Sequence, residues 1–107
     1  MISEQRVEQA VEYLRDTAKE YGQSKGRASY MEANLRRVKS LEMISHKGGV
    51  GEREAVAYAS EAYKAAMEQM QNAVADMETM RALRDAAEYT IEVWRSQSSA
   101  RKQGVNL

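Results

Sequence analysis

Cysteine, proline and phenylalanine are all absent from this 107-residue chain. Without cysteine there is no disulfide framework and no thiolate metal site, and the redox compartment cannot be read from thiols. Without proline nothing rigid interrupts a helix, and the plentiful Ala, Glu, Arg, Met and Gln are the composition of helices and not of turn-rich sheets. No apolar stretch approaches the ~18 residues needed to span a bilayer, so no membrane role is expected and a cytosolic setting, that of a host cell, is the default. A single histidine, His46, has no partner at metal-ligand or base–nucleophile spacing nearby. Beside a helix C-terminus it is better read as a cap or a dipole partner. No nucleophile, base and orienting group can be assembled, so the chain is expected to be non-enzymatic, with no metal and no cofactor.

What is present is charge and helical periodicity. Sixteen basic and sixteen acidic side chains cancel, yet they are segregated. Residues 1–20 sum to −2, 21–50 to +4, 51–80 to −4 and 81–107 to +2. Folding the chain back on itself would lay the basic second segment along the acidic third, with each exposed pair contributing well under ~1 kcal/mol. Charge of this kind selects register more than it supplies stability.

Ser3 is positioned to cap a first helix, and Val7, Ala10, Val11, Leu14, Ala18 and Tyr21 follow at spacings of three and four. After Gly22-Gln23-Ser24-Lys25-Gly26 the pattern resumes with Ala28, Met31, Leu35, Val38 and Leu41, nearly in phase. One helix over 3–45 is the preferred reading, with a kink at Gly22–Gly26 as the alternative, since each glycine costs about 1 kcal/mol against alanine. Gly48, Gly49 and Gly51 make a turn over 46–51. A second helix over 52–98 then carries Ala55, Ala59, Ala62, Ala66, Ala73, Met77, Met80, Ala87, Ile91 and Trp94 on one face, and the tail 99–107 loses the pattern and is expected to fray. The expected fold is a single all-α domain, an antiparallel two-helix hairpin. Trp94 should reach the start of the first helix near Ile2 and Val7. A lone hairpin leaves Tyr13, Tyr58, Tyr63, Met67, Met70 and Val74 poorly covered. The last five, with Trp94, are therefore assigned to an interface that pairs hairpins into a four-helix bundle, as a homodimer or higher oligomer.

Lys47-Gly48-Gly49-Val50-Gly51 resembles the start of the deviant phosphate-binding loop of partitioning ATPases. Glu52 stands where that loop needs lysine, however, and Arg53 where it needs a hydroxyl, which rejects nucleotide binding. The carboxylates Glu4, Glu8, Glu12, Asp16 and Glu20 recur every four residues beside Arg15 and Lys19, as a solvated face does. Two basic sets remain as candidates for phosphate contact: Lys25, Arg27, Arg36, Arg37 and Lys39, and near the end Arg95, Arg101 and Lys102. Pairing with carboxylates across the hairpin is the competing account of the same residues.

The runs Arg53-Glu54-Ala55-Val56-Ala57-Tyr58-Ala59-Ser60, Arg81-Ala82-Leu83-Arg84-Asp85-Ala86-Ala87-Glu88 and Ile91-Glu92-Val93-Trp94-Arg95-Ser96-Gln97 resemble small helical proteins of tailed bacteriophages and prophages. Those proteins are often found among replication and recombination genes. The resemblance implies an accessory role in phage DNA metabolism, in which the basic clusters would bind DNA, or a phage or host DNA-processing protein bound to it. The alternative is a protein-interaction adaptor, or an inhibitor of a host protein, with no affinity for nucleic acid.

Overall fold

The computed structural model describes residues 1–104, and all of its regular structure is α-helical. Helix α1 spans Glu4–Ile44, α2 spans Val50–Ala59 and α3 spans Glu61–Lys102. Three helices thus stand where two were expected. The local sequence explains each boundary. The Ser3 hydroxyl accepts from the Arg6 amide at 3.2 Å, which satisfies one of the free N–H groups of the first turn of α1. The helix then runs without a break through Gly22 and Gly26. It ends where the Ser45 hydroxyl donates back to the Leu41 carbonyl at 2.9 Å. Gly48 follows at φ +122°, in the region that favours glycine, with the Glu52 carboxylate folded against its α-carbon.

The expected second helix is divided at Ser60. The Ser60 backbone is extended, at φ −73° and ψ 150°. Its hydroxyl donates to the Ala57 carbonyl at 2.7 Å and accepts from the Tyr63 amide at 3.1 Å. One side chain therefore closes α2 and caps α3, and Glu61 in the first turn complements the new helix dipole. At the far end α3 continues to Lys102, four residues past the expected stop at 98. No helix breaker occurs until Gly104, which sits at φ +79° and donates its amide to the Arg101 carbonyl at 3.0 Å. The expectation of fraying for 105–107 lies outside the described residues.

Contacts gather into two compact units, one of Met1–Tyr21 with the chain from Glu78 onward, the other of Gly22–Met77. In the first unit α1 and α3 run antiparallel: the Ile2 amide donates to Gln97 Oε1 at 2.9 Å, Arg84 donates to the Leu14 carbonyl at 2.7 Å, and Arg81 Nε donates to the Tyr21 hydroxyl at 3.2 Å. In the second unit the segregated charges pair as their signs require, with Arg27 at 3.9 Å from Asp76 and Lys39 at 3.3 Å from Glu54.

The covered positions repeat every seven residues, the period of a coiled-coil seam. On α1 they are Val7, Leu14, Tyr21, Ala28 and Leu35, interleaved with Ala10, Thr17, Ser24, Met31 and Val38. On α3 they are Tyr63, Met70, Met77, Arg84, Ile91 and Ser98, interleaved with Ala66, Ala73, Met80, Ala87 and Trp94. Val11, Ala18 and Leu41, expected on the buried face, are exposed, because the seam is set by the seven-residue repeat and not by which side chain is most apolar. The break at Ser60 also re-phases the stripe. Extending the α3 repeat backward would bury Val56 and Ala59, whereas α2 buries Ala57 and leaves Ala55 and Ala59 in solvent; Ala62, in the first turn of α3, is exposed as well.

Two glycines separate the backbone effects. Gly48→Ala should destabilise the protein by about 1–2 kcal/mol, because it meets both a positive φ and the Glu52 side chain. Gly26→Ala enters open space inside a helix and should stabilise by about 0.5–1 kcal/mol. Chemical denaturation of both variants reads the opposite signs.

Candidate functional site

In the first unit a polar layer interrupts the apolar seam. Arg84 occupies a seam position of α3, and one guanidinium nitrogen donates to the Leu14 carbonyl at 2.7 Å and to Thr17 Oγ1 at 2.6 Å. The Thr17 hydroxyl donates its own proton to the Tyr13 carbonyl at 2.7 Å, which leaves its lone pairs turned toward the arginine. The guanidinium carbon also lies 5.1 Å from the centre of the Tyr21 ring, within cation–π range. Arg81, one turn away, binds the Tyr21 hydroxyl and, at 2.8 Å, Glu78. Its pKa is raised, first by Tyr21 and then by Glu78. This constellation holds a register.

The second unit carries an aromatic corner at the Ser60 break. The Tyr58 and Tyr63 rings meet edge to face at 5.2 Å, and the Lys39 ammonium lies 4.7 Å from the Tyr58 ring centre. The pKa of Lys39 is raised, first through its contact with Tyr58 and then through Glu54. Of the residues assigned to an interface, Tyr58 remains half exposed while Tyr63, Met67, Met70 and Val74 are partly covered within the chain itself. Trp94 is half buried and shares a groove of about 310 Å³ with Glu4, Ser98, Arg101 and Lys102, at the end of the unit where Ile2 meets Gln97.

The basic sets are not gathered into one patch. Arg27 and Lys39 are paired across their unit, and Arg95 pairs with Glu92 on its own helix at 3.0 Å. Lys25 is exposed on α1. Arg36 and Arg37 are exposed and form no ion pair among the described residues. The glycine turn holds no phosphate-loop geometry: α2 begins at Val50, Glu52 folds back on Gly48, and Arg53 is half buried. His46 lies 3.8 Å from Glu42, one turn back along α1. Among the described residues no three His, Asp or Glu side chains lie close enough to hold a metal ion, and no helix is long and apolar enough to cross a membrane.

Known protein families, curated proteins and solved structures give no match to the chain. Its function is therefore argued from its own surfaces.

A third feature escapes a reading by hydrophobicity. The flank of the first unit bears an open groove of about 330 Å³ lined by Arg6, Gln9, Ala10, Tyr13, Leu83, Ala86, Ala87 and Thr90. Leu83 is 55% exposed there, although it is one of the largest apolar residues of α3. The signal in the sequence was the uncharged set Leu83, Ala86, Ala87 and Thr90 at spacings of three and four on α3.

The Arg84 layer gives a quantitative test. Arg84→Ala should lower stability by about 1–3 kcal/mol, by leaving the Leu14 carbonyl and Thr17 hydroxyl short of a donor. In a double-mutant cycle with Thr17→Val the two losses should be non-additive by at least about 0.5 kcal/mol, measured by urea unfolding.

Proposed function

We propose that the chain is a non-enzymatic helical interaction protein that acts as an oligomer, with its two-helix layers pairing into a four-helix bundle. One observation carries this reading. Among the described residues the only buried side chains are Ala10, Ser24, Ala28, Ala57, Ala66 and Ala73, and no large side chain is fully buried. A buried methylene contributes ~0.8 kcal/mol and a fully buried Leu or Met ~1.5–3 kcal/mol, so a seam whose closed positions are alanines leaves most of that stabilisation unused. A second layer would collect it. Tyr30 at 67%, Tyr89 at 71% and Ile44 at 77% exposure are apolar surface of the kind an interface consumes.

Nucleic-acid binding is the second reading, and Arg36 with Arg37 supports it, as exposed cations that no carboxylate neutralises among the described residues. It ranks second because Arg27, Lys39 and Arg95 are already paired. Under either reading the phage-like runs of α2 and α3 suggest a phage or host DNA-processing protein as the class of further partner.

Sedimentation equilibrium of the whole chain over a concentration series should report a dimer or larger species. A monomer that unfolds cooperatively at every concentration would sink the proposal. Fluorescence anisotropy with labelled single- and double-stranded DNA tests the second reading. Salt-sensitive binding lost on Arg36→Ala with Arg37→Ala would promote it, and no binding at low salt would remove it.

A further inference from the structure

The outward faces of the helices are not alike in charge. Taking the seam positions as the inner edge, the three heptad positions farthest from it form the back of each helix. On α1 between 22 and 44 this back holds Tyr30, Ala33, Arg36, Arg37, Ser40, Met43 and Ile44, together with glycines and uncharged polar residues, and no carboxylate. On α3 between 78 and 100 it holds Glu78, Asp85, Ala86, Tyr89, Glu92 and Val93, with other small residues, and no cation. Elsewhere along both helices the backs carry both signs: Glu8, Glu12, Arg15, Asp16 and Lys19 on α1, and Glu61, Lys64 and Glu68 on α3. Single-sign surface is confined to these two stretches. They are equal in length, about 33 Å each at 1.5 Å per residue.

Each stretch also exposes apolar surface in the middle of its charge. Tyr30 and Ile44 stand out on the basic back, Tyr89 on the acidic one, with Leu83 at its edge. Gly22 and Gly26 open the basic back further, since a Cβ built at either one meets nothing within 4 Å. Two mid-helix glycines cost roughly 1 kcal/mol each, and no contact within the chain compensates them. A helix from another molecule could approach the backbone there.

From this complementarity we infer that the two faces are the two halves of one contact between copies: the basic back of α1 in one molecule seats on the acidic back of α3 in the next. The inference rests on the self-association proposed above, and it places that association on the backs of the helices instead of in a two-fold, layer-on-layer bundle. The acidic back placed against a second acidic back would bring Asp85 and Glu92 of one copy toward those of the other. The basic back placed against itself would oppose Arg36 and Arg37 likewise. Only the unlike pairing removes repulsion. Glu78 and Glu92 are already engaged by Arg81 and Arg95 on their own helix, whereas Asp85 makes no ion pair among the described residues, although its charge reaches Arg81; in the contact it would meet Arg36 and Arg37. Exposed pairs add little free energy, so the charges choose the partner face while Tyr30, Ile44 and Tyr89 provide the contact. A contact between unlike faces is heterologous, and it propagates into a ring or a chain of copies unless it is capped.

Mixing experiments distinguish this arrangement from a two-fold one. Variant one, Tyr30→Glu with Ile44→Glu, disables the basic back, and variant two, Tyr89→Glu, disables the acidic back. Both change exposed positions, and circular dichroism checks that helicity is kept. If it is not, Tyr30→Gln with Ile44→Gln and Tyr89→Gln replace them. In sedimentation velocity each variant alone should be weakened in self-association by about tenfold or more, whereas an equimolar mixture should form a heterodimer that grows no further, because each partner retains one working face. Asp85→Arg with Glu92→Arg should likewise weaken association, and Arg36→Glu with Arg37→Glu in the same chain should restore it. Wild-type association with no complex in the mixture, or either variant associating as the wild type does, overturns the inference while leaving self-association intact. A wild type that is monomeric at every concentration overturns both. Loss of labelled DNA binding on Arg36→Glu with Arg37→Glu, without any change in sedimentation, assigns the basic back to nucleic acid and also overturns the inference.

Discussion

Arg84 stands where a coiled-coil seam ordinarily takes an apolar side chain, and the pairing of the first unit depends on what it reaches. A seven-residue repeat alone permits helices to slide by one heptad with little loss, above all when the repeating side chains are small. The guanidinium removes that freedom. It engages a carbonyl, a hydroxyl and a ring face at one place on the facing helix, those of Leu14, Thr17 and Tyr21; one heptad toward the N-terminus Ala10 has no hydroxyl, and one heptad toward the C-terminus Ser24 repeats the hydroxyl but Ala28 replaces the ring. A slip in one direction would cost the guanidinium its hydroxyl acceptor and in the other its ring face, each against a seam with few apolar contacts to offset the loss. The second unit solves the same problem at its periphery, through Lys39 with Glu54 and Arg27 with Asp76. One unit fixes register from within the seam and the other along its flanks.

The closed positions of the seam are nearly all alanine, and this shapes everything outside it. Alanine lets helices approach closely and costs no side-chain entropy, but each such position removes little apolar area from water. The larger side chains are half covered within the seam or at its edges, or uncovered on the backs. A chain built in this way keeps its adhesive surface facing outward. Segregated charge then does what a deep core cannot: it distinguishes one outward face from another.

Much of this was legible in the sequence. The helical class, the N-cap at Ser3, the continuity of α1 through its glycines and the reversal after Ser45 follow from composition, spacing and cap chemistry. The pairing of the basic second segment with acidic residues beyond the turn was visible in the charge sums. The exact buried faces were not, because Thr17, Ser24 and Arg84 occupy seam positions while Val11, Ala18 and Leu41 lie outside, and ranking residues by hydropathy inverts those assignments. A polar residue in a seam is recognisable only once the group it binds is known. The break at Ser60 did leave a trace, a capping residue followed by glutamate, hidden inside an uninterrupted run of good helix formers. For the basic residues the sequence showed which could touch phosphate but not which were already neutralised by a neighbour.

Ser60 has a further consequence, in the dynamics of the chain. Because its hydroxyl closes α2 and caps α3 at once, α3 keeps its first turn whether or not α2 is folded. Helix α2 is ten residues long and buries only Ala57, well short of the ~12–15 residues at which an isolated helix begins to persist in water. It is flanked by a glycine turn on one side and by an extended residue on the other. The opening of such a segment breaks only the contacts of Glu54 and Tyr58 with Lys39 and of Tyr58 with Tyr63, so the amides of α2 should exchange with solvent through a smaller fluctuation than those of the Arg84 layer.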